Sequence, residues 1–324
     1  MVKFCHFSFF FFKMSSVSRI KQEKLWEEKR RIEIERPRYN RGKKEGTCME
    51  SIHLITQYSF LQGGELTPFC LPYCFDRGST PLVRPAVIIV PGGAYAMASK
   101  REGFSVAASF LALGFQPFVL TYKTCSDGIH YPEEPLELAC AVDYLKKHAS
   151  DYFLNPDEIF AVGFSAGGHL VGTLAQKAKD WKEEYSLDSM LRGIGLIYPV
   201  ITSQRTNAGT FDNLLQGIEE SKKEELRKEL SLENHVQKDN PPAFICMTAT
   251  DQAVPCEHGI SYASACAKAG VPFELHVYPK GPHGLSDGSK EINSMYPVDS
   301  FDPRFKRWKE DCAFFFRSFC KEEF

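Results

Sequence analysis

The sequence has no long apolar run and almost no net charge, and each of these absences excludes a class of protein. The apolar stretch of residues 4–12 is mostly phenylalanine and is too short to cross a bilayer as a helix. The chain carries 39 Lys and Arg against 41 Asp and Glu, a formal net charge of -2. No overall field therefore attracts nucleic acid or an anionic membrane, and we expect neither as a partner.

Signatures of metal and nucleotide cofactors are also missing. Cys70 and Cys74 lie close together, but no second Cys/His pair at ligand spacing follows them, as a structural zinc site requires. The pair Gly92-Gly93 fits neither the dinucleotide-binding fingerprint nor the P-loop pattern. We therefore expect a protein that works without a metal ion or an organic cofactor.

The 11 cysteines are odd in number and scattered along the chain, several of them within apolar segments. A secreted disulfide scaffold is shorter and usually has an even number of cysteines. Buried thiols, in contrast, behave as small hydrophobic side chains. We therefore predict reduced cysteines and a cytoplasmic location.

Residues 1–50 differ in composition from the rest of the chain. The phenylalanine-rich stretch is followed by a strongly charged one over residues 15–47, in which a helix would have only a thin apolar face. We predict a disordered or partly helical extension here. Whether translation of this extension starts upstream or at Met14 stays open, and a secretory signal peptide is the alternative interpretation.

From residue 51 to residue 324, strand-like and helix-like segments alternate. Runs that are apolar on both faces, such as residues 86–90, suit the buried strands of a parallel sheet. The pattern predicts strands at residues 53–58, 86–90, 118–122, 159–163, 194–200, 244–248 and 274–278, and helices at residues 104–113, 135–148, 168–177, 257–269 and 303–321. This alternation predicts one α/β domain with a mostly parallel sheet covered by helices on both faces.

Residues 204–238 interrupt the alternation with a polar, strongly charged and helix-forming segment. We interpret this segment as a small helical cap, or lid, inserted over the catalytic edge of the sheet. A solvated surface helix without a gating role is the alternative interpretation.

A serine lies between glycines where a predicted strand passes into a predicted helix, in the segment GFSAG of residues 163–167. This G-x-S-x-G pattern holds a serine on a sharp turn, which exposes its hydroxyl and requires small neighbours. The N-terminus of the following helix adds a positive dipole near the reacting group. The pattern predicts Ser165 as a nucleophile, and a glycine-rich turn with an incidental serine is the alternative.

A serine nucleophile needs a base, and the base needs an acid that orients it. After the serine, the predicted strand of residues 244–248 leads to Asp251, and that of residues 274–278 leads to His283. The chain order of serine, acid and histidine is that of the nucleophile-elbow hydrolases. We therefore predict Ser165, Asp251 and His283 as a catalytic triad; the alternative for the last two is a loop position facing solvent.

Other titratable residues fit these roles less well. His276 lies inside a predicted strand, His258 lies where a helix starts, and His169 follows the serine on its helix. We predict structural roles for these three histidines. Asp287 follows His283 in the sequence and is therefore out of order for the acid.

The loop after the strand of residues 86–90 is predicted to complete the site. An oxyanion hole needs two or more backbone N–H groups directed at one point, and glycines allow the backbone to approach a substrate closely. We assign Gly92 and Gly93 in this loop, with Ala166 after the serine, to the oxyanion hole; an ordinary tight turn is the alternative for the glycines. From their positions alone, Tyr95 and His130 are assigned to the substrate pocket; a loop turn without a pocket role is the alternative for His130.

Four segments carry a family resemblance: VIIVPGGAYAMASKREG, GFSAGGHLVG, MTATDQAVP and FELHVYPKGPHGLS. They resemble the esterase/lipase branch of the α/β-hydrolase superfamily related to hormone-sensitive lipase, and within it the bacterial acetylxylan and feruloyl-type carbohydrate esterases. The resemblance covers residues 51–324. It implies the α/β-hydrolase fold with an eight-stranded, mostly parallel sheet, no cofactor, and the triad and oxyanion hole assigned above. Pro91 and Ala94 replace the first and last residues of the His-Gly-Gly-Gly motif of the wider group, and we expect Ala94 to alter the acyl pocket.

The residues and the resemblance together predict a serine esterase that cleaves short-chain carboxylic esters. Acetyl esters of sugars or xylo-oligosaccharides are the substrate class that the resemblance implies, and we expect small, imported esters because residues 1–50 show no clear signal peptide. One alternative is an amide or peptide hydrolase of the prolyl-oligopeptidase or arylformamidase type. Another is a non-catalytic binding protein on a hydrolase scaffold. The oligomeric state stays open, a homo-oligomer included.

Overall fold

Within residues 50–71, 82–204, 209–297 and 299–321, the part of the chain that the computed structural model describes, eight strands form one sheet. The strands are β1 (Ile52–His53), β2 (Glu65–Pro68), β3 (Arg84–Val90), β4 (Gln116–Thr121), β5 (Leu154–Phe164), β6 (Gly193–Ile197), β7 (Ala243–Thr248) and β8 (Phe273–Tyr278). Their order in the sheet is β1-β2-β4-β3-β5-β6-β7-β8. The pairs β1–β2 and β2–β4 are antiparallel, and every pair from β4 to β8 is parallel. The predicted eight-stranded, mostly parallel sheet is confirmed.

Helices join the strands, as the alternating sequence pattern predicts. In the described ranges they are α1 (Phe104–Ala112), α2 (Glu133–Lys147), α3 (Ala166–Tyr185), α4 (Thr210–Leu214), α5 (Glu220–Glu229), α6 (Glu257–Ala269) and α7 (Trp308–Arg317). Helix α1 packs against α7, and α2 packs against α3. Each helix between two parallel strands carries the chain back to the starting edge of the sheet, so all parallel strands end at one edge.

Strand β5 shows how the two faces of the sheet are covered. Successive side chains of a strand point to opposite faces. Phe160 stacks on Phe316 of α7, with ring centroids 4.4 Å apart, and Phe164 packs edge-on against Trp308 of the same helix at 5.6 Å. Gly163 points to the other face, where the backbone of α3 leaves no room for a side chain. Helices α7 and α3 therefore cover opposite faces, and α3 starts directly against the end of β5.

One edge of the sheet differs from the prediction. The sequence predicts a strand at residues 53–58, but β1 has only two residues and a 3-10 turn, Leu54–Thr56, follows it. Strand β2, which the sequence pattern does not predict, pairs with β4 over four residues. Such short edge segments take their conformation from pairing with distant strands rather than from their own periodicity. The prediction for residues 53–58 is therefore wrong.

The segment of residues 204–238 contains helices α4 and α5, and its residues 205–208 lie outside the described part. The side-chain amide of Asn213 donates a hydrogen bond to the carbonyl of Ala94, at 2.7 Å. The ring of Phe211 packs edge-on against His169, with centroids 5.0 Å apart. The segment is helical, as predicted, and packs on the loop after β3 and on α3. Its role as a mobile lid stays a prediction.

Several sequence predictions concern compartment and redox state. Free thiols occur at Cys125, Cys140, Cys246, Cys256, Cys266, Cys312 and Cys320. Among the residues that the structure describes, no helix has the length and apolar character needed to cross a membrane. The predicted extension of residues 1–50 lies outside the described residues except for Glu50. The cytoplasmic location stays a prediction.

Two glutamates of helix α2 are fully buried, although the sequence gives no reason to expect it. Glu137 accepts the backbone N–H of Lys123 on one carboxyl oxygen, at 2.9 Å. The other oxygen of Glu137, and both carboxyl oxygens of Glu134, have no hydrogen-bond partner in the described ranges. Burial raises the pKa of Glu134 and of Glu137 to about 8, because a buried carboxylate loses its hydration. Both are therefore protonated in the folded protein at neutral pH.

These protonated glutamates are expected to make the fold less stable as the pH rises. In the unfolded chain each loses its proton near pH 4.3, whereas the folded protein keeps it up to about pH 8. The contribution of each protonated glutamate to the free energy of unfolding is therefore complete below about pH 4 and is lost as the pH rises to 8. Between pH 5.5 and 8 this loss is roughly 3 kcal/mol per group. We expect Glu137→Gln to remove one such loss, measured as the free energy of unfolding in urea at the two pH values. Glu224→Gln, at an exposed position, is the control and should show the same change in the free energy of unfolding between the two pH values as the wild type. An equal change in all three proteins would contradict the prediction.

Candidate active site

Ser165 sits on a sharp turn between the end of β5 and the start of α3. Its backbone angles, φ 52° and ψ −116°, lie outside the regions that side chains favour. Its N–H donates to the carbonyl of Ile197, at 3.0 Å, and its own carbonyl accepts the N–H of Val200, at 3.0 Å. A Cβ at Gly163 or Gly167 would clash with nearby backbone carbonyls. The glycines of the GFSAG segment therefore permit the turn that the motif predicts.

The structure brings together the three residues predicted as a triad. The hydroxyl oxygen of Ser165 lies 2.8 Å from Nε2 of His283, and Nδ1 of His283 lies 2.7 Å from Oδ2 of Asp251. Asp251 is 4% exposed and Ser165 is 6% exposed. The three residues follow strands β5, β7 and β8, whose ends meet at one edge because these strands are parallel. Residues separated by as many as 118 positions are thus placed within hydrogen-bonding distance.

The hydrogen bonds of Asp251 fix the tautomer of the imidazole. Oδ1 of Asp251 accepts the backbone N–H groups of Ala253 and Val254, at 2.9 and 3.0 Å. Oδ2 faces Nδ1 of His283, and an ionised carboxylate can only accept. Nδ1 therefore carries the hydrogen, and Nε2 is left to accept the hydroxyl hydrogen of Ser165. This is the arrangement that general-base activation of a serine requires.

The predicted oxyanion hole needs one correction. The N–H of Gly92 donates to the buried carboxylate of Glu102, at 2.7 Å, and so points away from the reacting centre. The N–H groups of Gly93 and Ala166 have no acceptor in the part of the chain that the structure describes. The assignment of Gly92 as an oxyanion donor is therefore wrong, because its amide already holds a carboxylate. Gly93 and Ala166 stay as the predicted donors.

Tyr95 is also placed differently from the prediction. Its side chain is 1% exposed, and its hydroxyl lies 2.8 Å from Nδ1 of His169. Its ring packs edge-on against Tyr122, with centroids 6.2 Å apart. Tyr95 therefore belongs to the core beneath the loop and does not line an accessible pocket. His130 is half-buried and lies near Gly217 in the predicted cap; its pocket role stays a prediction.

His169 links three segments around the site. Its Nε2 lies 2.8 Å from the carbonyl of Leu230, just after α5, so this nitrogen must donate. Nδ1 therefore accepts the hydroxyl hydrogen of Tyr95. Burial lowers the pKa of His169 to about 4, which keeps the ring neutral. The predicted structural role is borne out by these contacts, which join α3, the loop after β3 and the predicted cap.

Two residues at the site carry no sequence signal that distinguishes them. Glu102 lies in a polar segment between predicted elements, where a charged residue normally indicates exposure, yet it is 5% exposed. Tyr198 follows β6 and packs edge-on against the imidazole of His283, with ring centroids 5.0 Å apart. Only the position of Tyr198, at the end of a parallel strand, indicates proximity to the site. Its contact with Glu102, at 2.8 Å, depends on the folded chain.

No group of three or more His, Cys, Asp or Glu side chains in the described ranges is arranged to hold a metal ion. Ser165 supplies a hydroxyl, His283 a base, and Asp251 a buried carboxylate that orients the base.

The chain is similar to known proteins in both sequence and structure. Endo-1,4-beta-xylanase B of Butyrivibrio fibrisolvens is 35% identical over 218 residues, which cover 65% of this chain and 34% of that protein. The acetylxylan esterase of Xylanibacter ruminicola is 30% identical over 210 residues, covering 63% of this chain and 42% of that protein. The chain thus spans less than half the length of these two relatives. The acetyl ester-xyloside bifunctional hydrolase of Caldicellulosiruptor lactoaceticus has a similar structure, with a TM-score of 0.68 and 27% identity over 83% of this chain and 96% of that one.

A family model described as BD-FAE matches residues 76–265, which is more than half of the chain. The matched range includes β3, the loop after it, the GFSAG turn and Asp251, and it ends before β8 and His283. With its eight-stranded sheet and the serine at the end of β5, the chain belongs to the BD-FAE family of α/β-hydrolase esterases.

Proposed function

We propose that the protein is a serine esterase that hydrolyses short-chain carboxylic esters, acetyl esters of sugars or xylo-oligosaccharides in particular. The observation that carries the proposal is the unbroken hydrogen-bond chain from Ser165 through His283 to Asp251. The names of relatives such as the acetylxylan esterase of Xylanibacter ruminicola support the substrate class. These relatives are matched over part of their length only, so their activity enters here as support.

The first half of the proposed reaction transfers the acyl group to the enzyme. The hydroxyl oxygen of Ser165 bonds to the acyl carbon, while its proton passes to Nε2 of His283. The carbonyl π electrons move onto oxygen and form a tetrahedral oxyanion. When this collapses, the bond to the alcohol oxygen breaks, and the alcohol leaves with the proton from His283. Asp251 stabilises the imidazolium that exists between these steps.

The second half returns the enzyme to its starting state. A water molecule loses a proton to Nε2 of His283 and bonds to the acyl carbon through its oxygen. The second tetrahedral oxyanion collapses, the bond to Ser165 breaks, and the serine oxygen takes back the proton from His283. The products are one carboxylic acid and one alcohol for each ester and water consumed, with no change of oxidation state.

Stabilisation of the two oxyanions is assigned to the N–H groups of Gly93 and Ala166. Ala166 is the first residue of α3, so its N–H belongs to the free N–H groups at a helix start, and the dipole of the helix favours negative charge there. Fixed donors of this kind are typically worth about 3 kcal/mol of transition-state stabilisation each. They need no reorganisation because the turn at Ser165 and the loop after β3 already hold them.

A comparison of leaving groups tests this proposal against its alternatives. For the purified protein we expect kcat/KM to be at least about 100-fold higher with p-nitrophenyl acetate than with an aminoacyl p-nitroanilide, and to fall from acetate to octanoate. Acetate release from acetylated xylo-oligosaccharides, measured by chromatography, tests the finer substrate class. Faster cleavage of the anilide would favour a peptide or amide hydrolase. Hydrolysis of none of these substrates would favour a binding protein on a hydrolase scaffold.

A further inference from the structure

Glu102 is a buried carboxylate that the proposed mechanism does not use. It ends the short 3-10 helix Lys100–Glu102 before α1 and is 5% exposed. Its Oε2 accepts the backbone N–H of Gly92, at 2.7 Å, and its Oε1 lies 2.8 Å from the hydroxyl of Tyr198. Both carboxyl oxygens therefore contact segments that carry or adjoin the candidate active site.

Tyr198 extends this contact to the loop that holds the histidine. Its hydroxyl accepts the backbone N–H of Ser286, at 2.8 Å. Since its oxygen accepts there, its own hydrogen is directed at Glu102. The ring of Tyr198 meanwhile packs edge-on against the ring of His283, with centroids 5.0 Å apart. A continuous chain of hydrogen bonds thus runs from the amide of Gly92 to the amide of Ser286, beside the imidazole.

One end of this chain of hydrogen bonds lies beside the nucleophile, and the other lies in the loop that carries His283. Gly92 is packed so closely behind the nucleophile that an added Cβ would lie 2.9 Å from Cβ of Ser165. At the other end, Ser286 comes three residues after His283. The hydroxyl of Ser286 donates to the carbonyl of Arg101, at 2.6 Å, and its carbonyl accepts Nε1–H of Trp308, at 2.9 Å. These contacts therefore restrict the conformation of the loop after β8 that carries His283, which we call the histidine loop.

Glu102 occupies its position at a free-energy cost. Burial raises its pKa, and the hydrogen bonds from Tyr198 and Gly92, together with the charge of the neighbouring Arg101, offset only part of this effect. No Lys or Arg side chain forms an ion pair with it in the described residues. A buried carboxylate without an ion pair costs stability that an apolar side chain of similar size would not. Such a cost in stability is expected where both carboxyl oxygens are needed to hold segments of the active site in place.

We propose that Glu102 is a positioning residue. Through Gly92 it holds the loop after β3 that carries Gly93 (the oxyanion loop), and through Tyr198 it holds the histidine loop, so that both loops keep fixed positions relative to Ser165. The inference rests on the proposed esterase function and deepens it. Glu102 contacts no reacting atom; it fixes the distance between the two loops that do. A small displacement of either loop is expected to slow the reaction, because a shift of about 1 Å in a reacting group can lower a rate by about 100-fold.

Two substitutions interrupt the chain at different points. Glu102→Gln keeps the volume but offers one acceptor oxygen instead of two, so either the N–H of Gly92 or the O–H of Tyr198 loses its acceptor. Tyr198→Phe removes the hydroxyl and leaves the ring against His283. We expect each to lower kcat for p-nitrophenyl acetate by about 10- to 100-fold with KM changed less than about threefold. Because both act on one chain, the double variant should lose little more than Glu102→Gln alone.

Glu158→Gln is the matched control. Glu158 is also buried, at 1% exposure, and accepts the backbone N–H of Lys321, at 2.8 Å, but it lies in the middle of β5, seven residues before Ser165. This variant should keep the wild-type kcat within about twofold, although it also loses a buried carboxylate. Its thermal midpoint shows what such a loss does to stability alone.

Hydrogen exchange of the two loops gives a readout that does not depend on turnover. We expect Glu102→Gln to speed amide exchange in peptides that cover residues 91–99 and residues 284–297, and Glu158→Gln to speed it in neither. The inference is overturned if Glu102→Gln keeps kcat within twofold, if the double variant shows additive losses, or if neither loop exchanges faster. A wild-type protein that hydrolyses no ester overturns the proposed function and the inference with it, whereas an active wild type with an unaffected Glu102→Gln overturns the inference alone.

Discussion

Ser165→Ala is expected to lower kcat for p-nitrophenyl acetate by about 10⁵- to 10⁶-fold. The hydroxyl is the only group of Ser165 that is removed, and its one hydrogen bond in the described ranges is the one to His283. Alanine keeps the Cβ and the turn, so the protein should stay folded. The remaining rate would come from substrate binding and the oxyanion donors.

Covalent labelling separates loss of the nucleophile from loss of the fold. A fluorophosphonate probe bonds to an activated serine oxygen and releases fluoride, so it should label the wild type and leave Ser165→Ala unlabelled. Ser189→Ala is the matched control, because Ser189 is 1% exposed and its hydroxyl has no partner among the described residues. This control should be labelled and active. A Ser165→Ala variant that keeps more than about 1% of the wild-type kcat would assign the nucleophile to another residue.

The elements that carry the triad are those that the sequence predicts best. The second half of β5, from residue 159 onward, is a buried apolar run, and the glycines around Ser165 mark the point where the strand turns into a helix. Such local signals are strong because the strand is buried on both faces. The meeting of Asp251 and His283 with Ser165 follows once the strands are parallel, since their ends then lie at one edge.

The parts that the sequence does not predict depend on contacts between distant segments. Gly92 belongs to a glycine pair that is typical of an oxyanion loop. Only the folded chain shows that its N–H donates to the carboxyl group of Glu102. Glu102 itself lies in a charged segment and would be expected on the surface. Strand β2 is four residues long and includes a proline, so it has no recognisable period and is defined by its pairing with β4.

Asp251→Asn is expected to lower kcat by about 10⁴-fold while leaving the fold intact. Oδ1 of Asp251 accepts two backbone N–H groups, from Ala253 and Val254, so the amide oxygen of asparagine must take that place. The NH₂ group then faces Nδ1 of His283 and can only donate. The imidazole must therefore carry its hydrogen on Nε2, where it can no longer accept the proton of Ser165.

Asp287→Asn is the control that decides which carboxylate orients the imidazole. Asp287 is also buried, at 6% exposure, and its Oδ1 accepts the backbone N–H of Ser289, at 2.8 Å, but it comes after His283 in the chain. An amide oxygen can replace Oδ1 there without touching the tautomer, so kcat should stay within a few-fold of the wild type. A larger loss in Asp287→Asn than in Asp251→Asn would move the orienting role to the later carboxylate. We expect instead that Asp251, which follows β7, orients the imidazole. Only at Asp251 does the exchange of one carboxyl oxygen for NH₂ reverse the hydrogen bond to Nδ1 of His283.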